Sequence, residues 1–301
     1  MDKRLKLLIR NSKYLSVEAL QKEVGKIISS YHGYGTSVWN HFEPFGLYRA
    51  RQHNHLEGNF KGDILNPFIS ELEFWNTPSE FCPLGRCNNK NESIFYCTNE
   101  FEVAIQEIKS NQEYITVSSF RPKPIAFQNQ NSTAIPIGIG YLSQLPSLER
   151  FFPNYKFKSK EFKELDDFLN NLFYIDVTDE KSHLYKLSTA VTKNMMSPIR
   201  KNNRDTLMQG LVYSSMARDK KGFNVVFRPE HVVNNYYLYG VQTHRVLENT
   251  KELIRLQLLR NGHPEHVRNN MDESYNINWF PPLDNGEIYE FEKRPLKNKI
   301  S

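Results

Sequence analysis

Residues 83–109 read PLGRCNNKNESIFYCTNEFEVAIQEIK and contain three predicted elements in succession. The polar opening around Gly85 is typical of a loop. The apolar and aromatic run SIFYCT predicts a short buried strand. The segment FEVAIQEI has the apolar spacing of a helix, and Asn99 is its predicted N-cap. Four polar residues are held in register by these elements: Arg86, Asn88, Tyr96 and Glu107.

Glu107 lies on or beside the apolar face of this predicted helix, next to Ile108 and three residues after Ala104. A carboxylate that approaches a core requires a hydrogen-bonding or charged partner. A lone helix glutamate more often pairs with a surface base, such as Lys109, than acts in a site. Spacing alone leaves both interpretations open.

The segment upstream divides into a helical part and a strand with one basic face. Residues 1–40 have helical spacing, with Ser16 as a predicted N-cap. The sequence GLYRAR sets Arg49 and Arg51 on one side of a predicted strand and Tyr48 on the other. A row of arginines beside a core requires an anionic partner, although a single strand arginine is more often a structural salt-bridge partner.

Further strands and helices follow without regular alternation. Strands are predicted at 113–120, 210–216, 223–229 and from 236 onward, and helices at 160–173 and 183–196. The second and third of these strands are expected to form a hairpin-like pair across a glycine turn. The last thirty residues, rich in Asn, Glu, Lys and Pro, are predicted to be mostly irregular. This mixed order favours an α+β domain over a doubly wound one.

Composition excludes several classes of protein. The 301 residues carry 39 Lys and Arg against 34 Asp and Glu, and the basic residues are spread along the chain. The formal charge of +5 suits an anionic small molecule or an acidic partner, and it is a weak sign of nucleic-acid binding. Three cysteines, Cys82, Cys87 and Cys97, are too few for a disulfide framework and indicate a reducing compartment. No run of about 18 apolar residues occurs, so we expect a cytoplasmic protein without membrane association.

Three segments in chain order together resemble the RES-domain family, which is named for an arginine, a glutamate and a serine. YRAR places the family's arginine at Arg49. GRCN followed by IFYCTNEFEVAIQE resembles the family's Gly-Arg-x-Asn, strand tyrosine and helix glutamate, here Glu107. GLVYSSMARDKKGFNVVFRPE resembles its Tyr-Pro-Ser, glycine turn and Asn-apolar strand, and gives the serine role to Ser215. Because Ser214 stands where the family usually has proline, the choice between Ser214 and Ser215 stays open.

The resemblance implies an α+β fold like that of ADP-ribosyltransferases, with two small packed β-sheets and flanking helices. It divides the chain into a helical N-terminal extension at 1–41, a RES domain at 42–250, and a C-terminal strand with an irregular tail at 251–301. The implied activity consumes NAD as a substrate, without a further cofactor or metal. Members often act as the toxin of a bacterial toxin–antitoxin pair, so a small antitoxin protein is an expected partner.

The resemblance also implies roles for the charged residues. Cleavage of the bond between nicotinamide and ribose develops an oxocarbenium-like centre, as in glycoside hydrolysis. A nearby carboxylate stabilises that centre electrostatically, and Glu107 is expected to supply it. The diphosphate requires planar forks of donors, which Arg49 and Arg86 are expected to provide.

The remaining expected site residues are neutral. Tyr96 offers a ring that stacks on nicotinamide, and Ser215 a hydroxyl that donates to the ribose or the amide. Asn88 and Tyr48 complete the expected substrate-binding set. The HNH run at 53–55 lacks further ligands, so no metal site is expected.

Two other functions remain as alternatives. The basic charge and aromatic runs also fit an RNA- or DNA-binding stress protein, whose binding would weaken steeply with salt. The third interpretation is an interaction domain that binds NAD without catalysis, and its sign would be tight binding without turnover.

Overall fold

The computed structural model describes residues 3–30, 45–53, 68, 70–108, 112–124, 126, 134–136, 160–174, 181–197, 199–201, 204–206, 208–215, 222–250, 252–268, 273–281, 283 and 285–292. The helices are α1 (Lys3–Asn11), α2 (Val17–Ser30), α3 (Phe101–Glu107), α4 (Lys160–Tyr174), α5 (His183–Met195) and α6 (Pro229–Asn235). Two short 3-10 helices lie at Glu71–Phe74 and Ser79–Phe81.

The strands in chain order are β1 (Leu47–His53), β2 (Phe95–Thr98), β3 (Tyr114–Pro122), β4 (Ala134–Pro136), β5 (Ile199–Lys201), β6 (Arg204–Thr206), β7 (Gly210–Ser214), β8 (Phe223–Phe227), β9 (Tyr236–Asn249), β10 (Leu253–Arg268), β11 (Glu273–Trp279) and β12 (Ile288–Glu292). The helices and strands predicted from apolar spacing are therefore confirmed within the described ranges.

Capping differs between the two helix starts that the sequence predicted. At α2 the backbone N–H of Ala19 donates to Ser16 Oγ at 3.3 Å, which confirms the predicted cap. At α3 the N-cap residue is Glu100, which makes no side-chain capping bond, so the prediction of Asn99 was wrong. The Asn99 side chain instead accepts the backbone N–H of Phe223 at 3.1 Å.

The main sheet has the strand order β11-β10-β9-β3-β1-β2-β8-β7-β4, and β12 pairs with β10 beside this path. All of these pairs are antiparallel except β4 with β7, which is parallel. The strands β5 and β6 form a separate hairpin. The chain is thus α+β, but its main strands are hydrogen-bonded into one continuous sheet where two small sheets were expected.

The C-terminal region contributes more strand than predicted. The last thirty residues hold β11 and β12, each paired antiparallel with β10, so the expectation of a mostly irregular tail was wrong. Every side chain of β12 is exposed or half-buried. Its sequence, IYEFE, alternates aromatic with acidic residues, and Tyr289 and Phe291 pack against the core beneath α3.

Strand register decides which side chains share a face of the sheet. A row of directly opposed residues crosses β1, β2, β8 and β7, and it consists of Tyr48, Thr98, Asn224 and Tyr213. We call the side to which this row points the front face. Residues one position along each strand, such as Arg49 and Cys97, point to the back face.

Helix α3 covers one part of the front face, and a group of four other helices covers a second part. Helix α3 packs Ala104 and Ile105 against Ile115 and Val117 of β3. Helices α1, α2, α4 and α5 share a second core with apolar residues of β7 and β8. The row residues Asn224 and Tyr213 lie where the two parts meet, while the back face is packed with aromatic side chains.

Candidate active site

Glu107 is the last residue of α3, and its carboxylate accepts hydrogen bonds from a residue of β8 and from the residue that follows β7. Its Oε1 accepts the Ser215 hydroxyl at 2.6 Å and the Asn224 Nδ2 amide at 2.8 Å. Ser215 is completely buried and Asn224 is 7% exposed, whereas Glu107 itself is an exposed residue. The arrangement presents an exposed carboxylate that is anchored from below through one oxygen.

The position of this carboxylate is unfavourable for the helix alone. The C-terminal end of a helix carries partial negative charge, which repels an anion there. Each charge-assisted hydrogen bond returns roughly 1.5–3 kcal/mol. The two hydrogen bonds to Glu107 therefore offset the repulsion. They keep a carboxylate at the C-terminal end of α3, a position that lowers the stability of an isolated helix.

Local packing explains why α3 ends above the start of β8. A Cβ on Gly222 would overlap the Val103 side chain of α3, so the absence of a side chain there permits the close approach. Asn99, just before the helix, exchanges hydrogen bonds with Phe223 through its backbone N–H and its side-chain oxygen. These contacts hold the helix against Gly222 and Phe223, immediately before Asn224.

The structure distinguishes the two serines that the sequence left open. Ser214 is opposed to Phe223 in the β7–β8 ladder, and its buried hydroxyl has no hydrogen-bond partner among the described residues. Ser215 is the next residue, and its backbone N–H donates to Gly222 at 2.9 Å. The hydroxyl that reaches Glu107 is therefore that of Ser215.

Tyr213 and Arg86 extend the site toward α4 and α5. Burial raises the pKa of Tyr213 well above its usual value, and the charges of both Arg86 and Glu107 act on it. Arg86 donates to the backbone oxygen of Phe173, and its guanidinium carbon lies 5.8 Å from the centre of the Tyr185 ring. Arg86 thus contacts a backbone oxygen of α4 and an aromatic ring of α5.

Asn88 and Tyr96 form a closed set of hydrogen bonds inside the loop. The Tyr96 hydroxyl donates to Asn88 Oδ1 at 2.8 Å and accepts the backbone N–H of Cys87 at 2.8 Å. Asn88 Nδ2 donates to two backbone oxygens, those of Pro83 and Asn89. The polar atoms of both side chains therefore form hydrogen bonds within the loop and stabilise its conformation.

Arg49 lies on the back face, and the structure does not bring it to Glu107. It donates to the backbone oxygen of Trp75 and to Thr77 Oγ1, the latter at 3.1 Å, and its guanidinium carbon lies 5.5 Å from the centre of the Phe95 ring. Burial, followed by repulsion from Arg51, lowers its pKa to about 10. Its contacts are those of a structural arginine.

Tyr48 lies on the front face, as the alternation in β1 predicted relative to Arg49. Its ring is 6.3 Å from that of Phe101, at the start of α3. It therefore packs under the helix that carries Glu107.

Asn224 was not identified as a candidate from the sequence. Two signals were available: Asn224 is the one polar residue in the strand FNVVF, whose side chains are all buried, and it stands at the Asn of the resembled family's Asn-apolar strand. A buried amide requires a partner, but the partner, Glu107, is 117 residues away. Only the fold brings the two together.

The comparisons with known proteins add no relative: no protein-family model matches the chain, and no curated protein matches it. Within the described ranges, no group of three or more His, Cys, Asp or Glu side chains is placed to hold a metal ion. No helix in the same ranges is long and apolar enough to cross a membrane. All three cysteines are free and buried.

Proposed function

We propose that this chain degrades NAD by cleaving the bond between nicotinamide and ribose, as a glycohydrolase, a phosphorylase or an ADP-ribosyltransferase. The observation that carries the proposal is the Glu107 carboxylate, which has two buried donors on Oε1. Its other oxygen, Oε2, has no partner among the residues that the structure describes. This oxygen is the group we assign to substrate.

Cleavage of the bond between nicotinamide and ribose requires a fixed negative charge close to the ribose C1′. Nicotinamide leaves with the electron pair of its bond to the ribose C1′, and positive charge develops over C1′ and the ring oxygen. Water or phosphate then forms the new bond to C1′ and gives up a proton. A pre-oriented carboxylate stabilises the developing charge without reorganising during the reaction.

Ser215 takes a role that follows from its contact, and Arg86 one that follows from the resemblance. The Ser215 hydroxyl donates to Glu107, so we assign it to holding the carboxylate and not to a direct bond with ribose or amide. Arg86 stands in the Gly-Arg-x-Asn segment of the resemblance, and on that ground we assign it to the diphosphate. Arg49 has no part in this proposal because it lies on the back face.

The biological setting that we propose is a bacterial toxin with a small protein antitoxin. This part rests on the resemblance of three sequence segments to RES-domain proteins. An NAD-degrading activity is consistent with it, since depletion of NAD stops growth. Co-expression with the product of an adjacent small reading frame, with cell growth as the readout, tests it.

Incubation of the full-length protein with NAD tests the proposed reaction. We expect nicotinamide release, with ADP-ribose as the second product in plain buffer for a glycohydrolase, or a phosphorylated ADP-ribose in phosphate for a phosphorylase. An ADP-ribosyltransferase would require a cell extract to supply the acceptor. Absence of nicotinamide under all three conditions would overturn the proposal, and tight NAD binding without release would indicate a non-catalytic domain.

A further inference from the structure

We infer that Asn224 is a positioning residue that fixes the plane of the Glu107 carboxylate and so selects Oε2 as its working oxygen. The inference deepens the proposed function and rests on it for the identity of the reaction. It concerns a side chain outside the arginine, glutamate and serine for which the resembled family is named. Three features of the structure support it.

The first feature is the chemistry of the contact. Asn224 Nδ2 lies 2.8 Å from Glu107 Oε1. An asparagine amide has one donating end and one accepting end, and only the nitrogen end can face an ionised carboxylate. The orientation of the amide is therefore set by the charge of Glu107.

The second feature is the number of donors on one oxygen. A single hydrogen bond leaves a carboxylate free to turn about that contact. Asn224 of β8 and Ser215, the residue after β7, both donate to Oε1, and two donors from different segments define an orientation. Oε2 has no partner in the described part of the chain, so it is the oxygen left to face a substrate.

The third feature is the rigidity of the strand that carries the amide. Asn224 lies between Thr98 of β2 and Tyr213 of β7 in the ladder, and only 7% of it is exposed. The neighbouring residue Phe223 is bonded to Asn99 at the entrance to α3. The donor and the helix end that bears Glu107 are thus held in one frame.

Two substitutions at this position test the inference through kinetics. Asn224→Asp keeps the shape of the side chain but replaces the donating nitrogen with a charged acceptor, and Asn224→Ala removes the group. Each should lower kcat for NAD by about 10- to 100-fold, because a displaced carboxylate loses transition-state stabilisation, while KM stays within about twofold. Unchanged kcat per folded molecule would overturn the inference.

A matched control separates positioning from general damage to the core. Asn235 is another buried asparagine, 6% exposed, and its Nδ2 donates to the backbone oxygen of His231 in α6. Asn235→Asp should lower the melting temperature without changing kcat per folded molecule. If Asn224→Asp behaves in the same way, Asn224 is merely structural.

A measurement without NAD keeps the inference separate from the proposed function. In protein labelled with 15N at asparagine, the Asn224 side-chain amide should exchange slowly with solvent, and this protection should be lost in Glu107→Ala. Rapid exchange in the wild type would overturn the inference whatever the enzyme does. A protected amide in a protein that does not turn over NAD would leave the contact standing and reject the proposed reaction.

Discussion

Two hydrogen-bonded clusters lie within the segment 83–109 and its neighbours. They differ in whether every polar atom of the cluster has a hydrogen-bond partner among the described residues. In the loop cluster of Asn88, Tyr96 and Cys87, the amide, the hydroxyl and the backbone N–H satisfy one another. In the helix-end cluster of Glu107, Ser215 and Asn224, two donors converge on one oxygen and the second oxygen has no described partner. A closed cluster stabilises a fold, whereas an open one at an exposed carboxylate is suited to a ligand.

The largest expected difference between the clusters is in turnover. Glu107→Gln should lower the rate of nicotinamide release by about 100- to 1000-fold, the order seen when one electrostatic stabiliser is lost. Its melting temperature should change little, because the repulsion relieved at the helix C-terminus and the charge assistance lost from the two hydrogen bonds act in opposite directions. Kinetic assays and thermal unfolding on the same samples check both expectations.

The matched variant for Glu107→Gln lies in the closed cluster. Asn88→Ala leaves the Tyr96 hydroxyl without its acceptor and should destabilise the fold by about 1–3 kcal/mol. Its turnover per folded molecule should match the wild type. Loss of activity in Asn88→Ala without loss of stability would contradict the structural role assigned to the loop cluster.

The next comparison removes one hydroxyl from each cluster. Ser215→Ala should lower kcat about tenfold with little change in stability, since Asn224 still anchors the carboxylate. Tyr96→Phe should lower the free energy of unfolding by about 1–3 kcal/mol, because Asn88 Oδ1 and the Cys87 N–H both lose their partner. Urea unfolding and steady-state kinetics measure the two effects, and a reversal of the pattern would mean that the clusters have been assigned the wrong way round.

The two arginines extend the comparison to the two faces of the sheet. Arg86→Met should raise KM for NAD about tenfold if its charge binds the diphosphate. Arg49→Met should leave KM within about twofold, because Arg49 faces the back of the sheet. A large rise in KM for Arg49→Met alone would place the anion site on the opposite face.

The last comparison concerns acid stability, which depends on buried histidines outside both clusters. Burial lowers the pKa of His53, His231 and His244 to about 4. An unfolded histidine binds a proton near pH 6.5, so the unfolded state takes up more protons between about pH 6.5 and 4. Stability should be full above pH 6.5 and fall toward pH 4.

His244→Phe provides the control for the acid prediction. His244 is completely buried beside Phe101 of α3, with ring centres 5.6 Å apart. Removing this titratable group should flatten the fall in the free energy of unfolding between pH 6.5 and 4, as measured by urea unfolding at each pH. An unchanged pH dependence would show that His244 is protonated equally well in the folded protein.

Much of the fold was accessible to sequence reasoning because its signals are local. Helix α3 and the hairpin of β7 and β8 follow from apolar spacing and a glycine turn. The resemblance of these segments to a family pattern placed Glu107 and Ser215 among the candidates, and in the structure the Ser215 hydroxyl lies 2.6 Å from Glu107 Oε1.

The parts that sequence reasoning missed depend on contacts distant in the chain. Alternation in β1 separates Arg49 from Tyr48, but only the register across β2 and β8 shows that Tyr48 shares the face of Glu107. Asn224 looks like a lone polar residue in an apolar strand until the fold supplies its carboxylate. Strand β12 has only five residues in a stretch rich in Asn, Glu, Lys and Pro, and that composition hid its alternation of aromatic and acidic residues.

Product analysis of the wild-type protein with NAD tests the central claim most directly. Chromatography with mass detection should show nicotinamide and an ADP-ribose product, free or attached to an acceptor, appearing together as NAD disappears, and neither forming with Glu107→Gln. Intact NAD after incubation with buffer, phosphate and cell extract would contradict the claim. Equal release by the wild type and Glu107→Gln would show that the carboxylate at the end of α3 is not the group that acts.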